Sequence, residues 1–235
     1  GIRDPDHSLV GSEMCIRDRA GPLAPDARVD IALVEGSIAS SEDAERIASI
    51  RANSRYLISI GACATSGGIQ ALRNLADANA WTEAIYAQPD YIKSLATSMP
   101  IASQVKVDLE LWGCPVNSRQ LVAVIRSLLF KVLPVEEADK VCLECKRQQN
   151  VCVMVTNNEP CMGAVTRSGC GALCPGVGRD CYACYGPAEN INSEALANWF
   201  ASLGMQPAEI ARRFLFINSE ADGFKQAGLR WRDKA

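Results

Sequence analysis

Apolar and polar positions alternate along the first half of the chain in a strand-then-helix order. The apolar run 29–38 is rich in Val and Ile and contains a glycine stop, which is typical of a buried parallel strand. Segment 40–54 has a serine at its start, acidic residues in the next turn and apolar residues at helical spacing, so it predicts a capped helix. The run 56–60 and the segment 69–80 predict a second strand and helix around a glycine-rich loop.

The same order continues further along the chain. Segment 105–115 predicts a strand that runs into a Cys-Pro turn, and segment 118–133 predicts an amphipathic helix. This βαβα alternation indicates a doubly wound α/β domain with its ligands beyond the carboxyl ends of the strands. Segment 192–224 predicts two amphipathic helices separated by Gly204 and Pro207, packed over the preceding segment with Trp199, Phe200, Phe214 and Phe216 as anchors.

Composition excludes several classes of protein. The chain has 235 residues, of which 48% are apolar, so a folded globular protein is expected. Its formal net charge of −3 provides no basic field for a nucleic acid, and no stretch of 18 or more uncharged apolar residues predicts a membrane-spanning segment. We therefore expect no nucleic-acid partner and no membrane association.

Cysteine is the unusual feature of this composition, with 11 copies against a single histidine, His7. A catalytic triad or a Cys/His zinc site cannot be assembled from so few histidines. A disulfide framework belongs to short secreted chains, and no secretory leader is recognisable here, so metal ligation in a reducing compartment is favoured. Eight of the cysteines fall in one segment: Cys142, Cys145, Cys152, Cys161, Cys170, Cys174, Cys181 and Cys184.

The spacing of these eight cysteines favours iron-sulfur clusters over zinc. The two C-x2-C pairs of a zinc ribbon are separated by roughly 15 to 20 residues, whereas 35 residues separate Cys145 from Cys181 and contain four further cysteines. "CGALCP" repeats the C-x3-C-P ending of the bacterial ferredoxin motif, and eight thiolates make two sets of four. A structural zinc protein remains the alternative.

The glycine-rich loop 59–68 has the position of a phosphate loop but not its sequence. It lacks the G-x-G-x-x-G order and a following Gly-Lys-Ser/Thr. Cys63 lies in its middle, and Cys114 follows the later strand, each close to a glycine. A lone buried cysteine is usually inert packing, but two cysteines at matched strand ends suggest half of a cluster site.

Several motifs together resemble the small (delta) subunit of cytoplasmic, NAD(P)-linked [NiFe] hydrogenases of the sulfhydrogenase type. They are "VEGSI", "GACATSGGIQALRN", "LELWGCPVN", "VCLECK", "NVCVMV", "PCMGAVTRSGCGALCP" and "CYACYGP", within residues 26–220. The resemblance implies a flavodoxin-like domain that holds a proximal [4Fe-4S] cluster, and a cysteine-rich domain that holds medial and distal [4Fe-4S] clusters.

The resemblance assigns each cysteine of the motifs to a cluster. Cys63 and Cys114 match two of the four proximal ligands. The distal set is Cys142, Cys145, Cys152 and Cys161, and the medial set is Cys170, Cys174, Cys181 and Cys184. In the ferredoxin motif the cysteine before proline serves the other cluster, so the cluster that Cys174 serves stays open.

The chain departs from the family pattern at its beginning. No C-x-x-C precedes the first strand, although the family takes its other two proximal ligands from there. "GSEMCIRDR" resembles translated sequencing-adapter read-through, so we expect residues 1–19, including His7 and Cys15, to be non-native. The expected domains are then a truncated flavodoxin-like domain at 20–135 with a partial proximal site, an iron-sulfur domain at 136–190 and a helical tail at 191–235.

The implied function is electron transfer within a hydrogenase complex. The chain would relay electrons between the Ni-Fe site of a separate large subunit and NAD(P)-reducing flavin and iron-sulfur subunits in the cytoplasm. It would form part of a hetero-oligomeric oxidoreductase and would perform no hydrogen chemistry alone. A single-cluster subunit of NADH:quinone oxidoreductase is a second alternative, which the eight later cysteines oppose.

Overall fold

The first described half of the chain is built on a small parallel sheet. The structure is a computed structural model, and it describes residues 27–134 and 139–235. The sheet has the order β1-β2-β3, with both strand pairs parallel and Ile58 of the central strand opposite Leu109. The strands are β1 (Val29–Val34), β2 (Ser54–Ile60) and β3 (Leu109–Leu111).

Helices connect these strands as the alternating pattern predicts. Ser40 caps the first helix by accepting a hydrogen bond from the Asp43 N–H, and the Asp43 carboxylate bonds back to the Ser40 N–H, which makes a capping box. The helices of this half are α1 (Ser41–Asn53), α2 (Gly61–Ser66), α3 (Ala78–Ile85) and α4 (Ser118–Leu129), with a 3-10 helix at Gly68–Leu75 between α2 and α3.

The second described half is helical, with long loops. Its cysteine-rich part contains three short helices, α5 (Val141–Arg147), α6 (Val153–Thr156) and α7 (Leu173–Gly176). Three longer helices follow, α8 (Ser193–Ser202), α9 (Pro207–Leu215) and α10 (Asp222–Arg232). Of the helices in the described ranges, none is long and apolar enough to cross a membrane.

The tail helices share one hydrophobic cluster with the cysteine loops. Phe200, Phe214 and Phe224 are fully buried in it, together with Met162 from a cysteine loop. Trp199 packs against the cluster from its edge, as predicted, but Phe216 is 47% exposed, so its assignment as an anchor is wrong. Two smaller clusters lie on the two faces of the sheet.

A buried asparagine joins the two halves. Asn218, which follows α9, is 1% exposed. Its Oδ1 accepts a hydrogen bond of 2.7 Å from the Ser66 hydroxyl at the end of α2, and its Nδ2 donates one of 2.6 Å to the Ala183 carbonyl oxygen. The end of the glycine-rich loop is thereby fixed to a cysteine loop through a single side chain.

The structure differs from the sequence prediction in three elements. The strand expected within 105–115 is only β3, three residues long. The helix expected over 69–80 is divided, because the Asp77 side chain accepts hydrogen bonds from the Asn79 and Ala80 N–H groups and thereby begins α3. The tail contains a third helix, α10, beyond the two that were predicted.

Candidate metal centres

Cys63 and Cys114 lie side by side at the carboxyl edge of the sheet. Cys63 is in α2, directly after β2, and Cys114 is exposed in the loop after β3. The Ala62 N–H donates a 2.9 Å hydrogen bond to the Gly113 carbonyl oxygen, which connects the two loops. Burial raises the pKa of the Cys63 thiol, a hydrogen bond to Gln70 lowers it, and the proximity of Cys114 raises it further.

Gly68 makes room for Cys63. Its φ of +58° is a left-handed conformation that favours glycine, and a Cβ atom there would lie 2.7 Å from the Cys63 Sγ. The backbone therefore approaches the thiol more closely than any side chain would permit. Sequence reasoning recognised the glycine-rich loop but not this position, whose role depends on how the loop folds back over Cys63.

The structure brings Cys142, Cys145, Cys152 and Cys161 together. Burial raises the pKa of Cys142 to about 11, and the proximity of Cys161, Cys145 and Cys152, in that order, adds to the increase. A Cβ atom on Gly163 would lie 3.5 Å from the Cys161 Sγ and 3.6 Å from the Cys142 Sγ. Three thiols predicted to belong to the same set as Cys142 thus lie in its neighbourhood, near the start of α5.

Cys184 lies among a second group of thiols. Burial is the largest cause that raises the pKa of the Cys184 thiol to about 11, and the proximity of Cys170, Cys174 and Cys114 contributes in the same direction. The Cys114 N–H lies close to the Cys184 sulfur and lowers that pKa. Cys114 therefore lies next to both Cys63 and Cys184.

Cys181 lies between the two groups of the cysteine-rich segment. It is 5% exposed, and burial, followed by smaller contributions from Cys161 and Cys184, raises its pKa strongly. The Cys181 N–H donates a 3.2 Å hydrogen bond to the Cys161 Sγ, and the Cys181 sulfur accepts one of 3.4 Å from the Ala183 N–H. Cys181 therefore lies close to Cys161 of one predicted set and to Cys184 of the other.

The chemistry of these thiols fits iron-sulfur ligation. Burial raises the pKa of Cys161, Cys170 and Cys181, and backbone N–H groups already point at their sulfurs. Such N–H donors stabilise thiolate bound to iron and adjust the potential of a cluster. Within the described ranges, no three His, Cys, Asp or Glu side chains are arranged to hold a single metal ion. A four-iron cluster spreads its four thiolates over four irons.

Two predicted features of the N-terminal region lie outside the described residues. His7 and Cys15, and the segment 1–19 that was expected to be non-native, belong to the range 1–26. The described residues of the α/β half contain two cysteines, Cys63 and Cys114.

Comparisons with known proteins agree with the fold and with the resemblance. The family model described as "NADH ubiquinone oxidoreductase, 20 Kd subunit" matches residues 6–128. The chain is 31% identical over 186 residues to the sulfhydrogenase 2 subunit delta of Pyrococcus furiosus, covering 79% of this chain and 77% of that relative. It is 29% identical over 220 residues to a subunit of the F420-non-reducing hydrogenase vhu of Methanococcus voltae, covering 80% and 77%.

A solved structure supports the fold alone. The actinobacterial-type NiFe-hydrogenase from Ralstonia eutropha H16 aligns over 80% of this chain and 68% of its own, with a TM-score of 0.50 and 17% identity. The family match covers more than half of the chain and the sulfhydrogenase match more than three quarters of it. The chain therefore belongs to the family of the NADH ubiquinone oxidoreductase 20 Kd subunit and, within it, to the small subunits of [NiFe] hydrogenases of the sulfhydrogenase delta type.

Proposed function

We propose that this chain is the electron-transfer small subunit of a hydrogenase in the cytoplasm. It would carry electrons between the Ni-Fe site of a large subunit and NAD(P)-reducing flavin and iron-sulfur subunits. [4Fe-4S] clusters, when bound, exchange single electrons at potentials set by their surroundings. The proposal includes the domain division at 20–135, 136–190 and 191–235.

One observation carries this proposal: a series of neighbouring thiols leads from the edge of the sheet into the cysteine-rich segment. Cys63 lies near Cys114, and the Cys114 N–H lies near the Cys184 sulfur. Cys184 lies near Cys181, and the Cys181 N–H donates a hydrogen bond to the sulfur of Cys161, which lies near Cys142. An electron relay needs such a series of neighbouring thiols, whereas a structural zinc site does not need one.

We propose a cluster for each set of cysteines in this series. Cys63 and Cys114 would hold the proximal cluster at the sheet edge. The medial set would be Cys170, Cys174, Cys181 and Cys184, and the distal set Cys142, Cys145, Cys152 and Cys161. Cys114 and Cys152 are the two exposed cysteines among the described residues, so we propose that the large subunit docks beside Cys114 and the NAD(P)-reducing subunits beside Cys152.

Cluster binding is tested by anaerobic reconstitution of the purified chain. A brown protein whose broad visible absorption bleaches on reduction, with close to eight irons per chain, supports two complete sites and a partial proximal one. A colourless protein that retains zinc would establish the structural zinc alternative instead. Twelve irons per chain would mean that the proximal site is complete, and the assignment of a partial site would then be wrong.

Partner identity separates hydrogenase from NADH:quinone oxidoreductase, whose 20 Kd subunit family model matches the α/β half. Purification of the tagged chain from its source, followed by identification of the bound subunits, should recover a nickel-iron large subunit. Recovery of quinone oxidoreductase subunits would overturn the hydrogenase assignment. Reduction of NAD, NADP or another acceptor by the purified complex with hydrogen then tests the electron acceptor.

A further inference from the structure

Glu144 connects the two cysteine sets through a single carboxylate. It lies in α5 between Cys142 and Cys145. Its Oε1 accepts hydrogen bonds from the Gly169 N–H at 2.9 Å and the Gly171 N–H at 3.2 Å. Its Oε2 accepts a hydrogen bond from the Ala172 N–H at 3.1 Å. A residue of the first C-x2-C pair thus holds the loop of the C-x3-C motif.

The backbone of loop 169–172 points three N–H groups at the Glu144 carboxylate. Gly169, Gly171 and Ala172 all have positive φ, at +128°, +69° and +49°. Backbone N–H groups of neighbouring residues in a turn can point to one side and form a concave anion site. Here the anion is the chain's own Glu144 carboxylate, and Cys170 lies in the middle of the loop that it holds. The Gln148 side chain adds a 2.8 Å hydrogen bond to the Gly171 carbonyl oxygen from the other side.

The carboxylate also lies close to a predicted cluster ligand. The Cys170 Sγ is 3.9 Å from the Glu144 Oε2. Burial is the main cause that raises the pKa of Cys170, and the negative charge of Glu144 contributes in the same direction. A fixed negative charge at this distance opposes the addition of an electron to any centre that the sulfur binds.

We propose that Glu144 is a positioning residue for the medial cluster. It fixes the loop that presents Cys170, and its charge lowers the reduction potential of the cluster bound there. This inference rests on the proposed function for its electron-transfer part, whereas its structural part concerns the loop alone. A residue inside the distal motif thereby sets the properties of the neighbouring medial site.

The test uses three variants of the full chain. Glu144→Gln keeps the size and one acceptor oxygen but removes the charge. Glu144→Ala removes the charge and all three hydrogen bonds. Glu189→Gln is the matched control, since it removes the same charge from an exposed position of the same segment, beyond the cysteine loops.

Hydrogen exchange of the metal-free chain tests the structural part. Amides 169, 171 and 172 should exchange at least tenfold faster in Glu144→Ala than in the unaltered chain and less so in Glu144→Gln, with no change in Glu189→Gln. Unchanged protection in Glu144→Ala would show that Glu144 does not hold the loop.

Redox titration of the reconstituted chain, followed by electron paramagnetic resonance, tests the electrostatic part. One cluster signal in Glu144→Gln should shift to higher potential by a tenfold change in its equilibrium, about 59 mV for one electron. The shift should be absent in Glu189→Gln. If clusters assemble but no signal shifts in Glu144→Gln, the inference is wrong while the proposed function stands. If the unaltered chain takes up no iron, the proposed function fails, and hydrogen exchange still decides whether Glu144 holds the loop.

Discussion

Replacing Asn218 by alanine should destabilise the contact between the two halves of the chain. The change removes two short, buried hydrogen bonds, to Ser66 and to Ala183. Neither partner is left without a bond, because the Ser66 hydroxyl also lies 2.9 Å from the Ala62 carbonyl oxygen and the Ala183 carbonyl accepts a 3.0 Å bond from the Gly186 N–H. The loss is therefore two net hydrogen bonds, about 1–3 kcal/mol in the free energy of unfolding.

Urea unfolding of the reduced, metal-free chain, followed by tryptophan fluorescence, measures this loss. With a denaturant slope of about 2–3 kcal/mol/M, the midpoint should fall by roughly 0.3–1.5 M. Asn218→Asp should cost more, because a carboxylate oxygen would then face the Ala183 carbonyl oxygen without a proton between them. Asn53→Ala is the control, since the Asn53 side chain is only partly buried and donates its hydrogen bond to Ser49 of its own helix, and it should change stability by less than about 0.5 kcal/mol. The reasoning is refuted if Asn218→Ala unfolds at the same midpoint as the control.

Three further results are expected. Partial burial raises the pKa of Asp108, but hydrogen bonds from a backbone N–H and from Arg51 outweigh burial and hold the pKa below 3.8. The Asp108 carboxylate therefore stabilises the fold above about pH 4. Asp108→Asn should lower the unfolding midpoint at pH 7, and the difference from the unaltered chain should vanish on acidification below that pH. Gly68→Ala should displace the Cys63 thiol, measurable as faster alkylation of Cys63 in the metal-free chain, whereas an unchanged rate would mean that the loop tolerates a Cβ atom. Burial raises the pKa of Cys142 from 9.0 to about 11, so the stability of the metal-free chain should decline between these pH values, and a flat profile there would contradict this pKa.

Local sequence signals predicted the elements whose formation depends on neighbouring residues. The Ser40 cap and the acidic first turn predicted the start of α1, and the capping box in the structure confirms it. The apolar runs predicted β1 and β2, because strands of a parallel sheet are rich in apolar residues, as Val and Ile are in β1 and Leu57, Ile58 and Ile60 are in β2. The parallel α/β arrangement followed from the alternation of these elements.

Features that depend on distant residues could not be predicted in the same way. Glu144 and the loop around Cys170 are separated by 26 positions and Ser66 and Asn218 by 152, and no local pattern marks either pair. The helix α10 was missed because glycines inside a segment ordinarily argue against a helix. In the structure, a Cβ atom on Gly223 would lie 2.7 Å from Ile191, so the glycine permits close packing that sequence alone does not reveal.

The hydrophobic cluster shared by the tail helices and the cysteine loops separates folding from metal binding. Three buried phenylalanines, Phe200, Phe214 and Phe224, each contribute about 1.5–3 kcal/mol by leaving water. A zinc finger, in contrast, folds only when its ion binds. In this chain the support for the thiols is an ordinary apolar core, so under the proposed function iron would enter a scaffold that is already folded. Loss of a cluster to oxygen would then leave an intact scaffold that can be refilled.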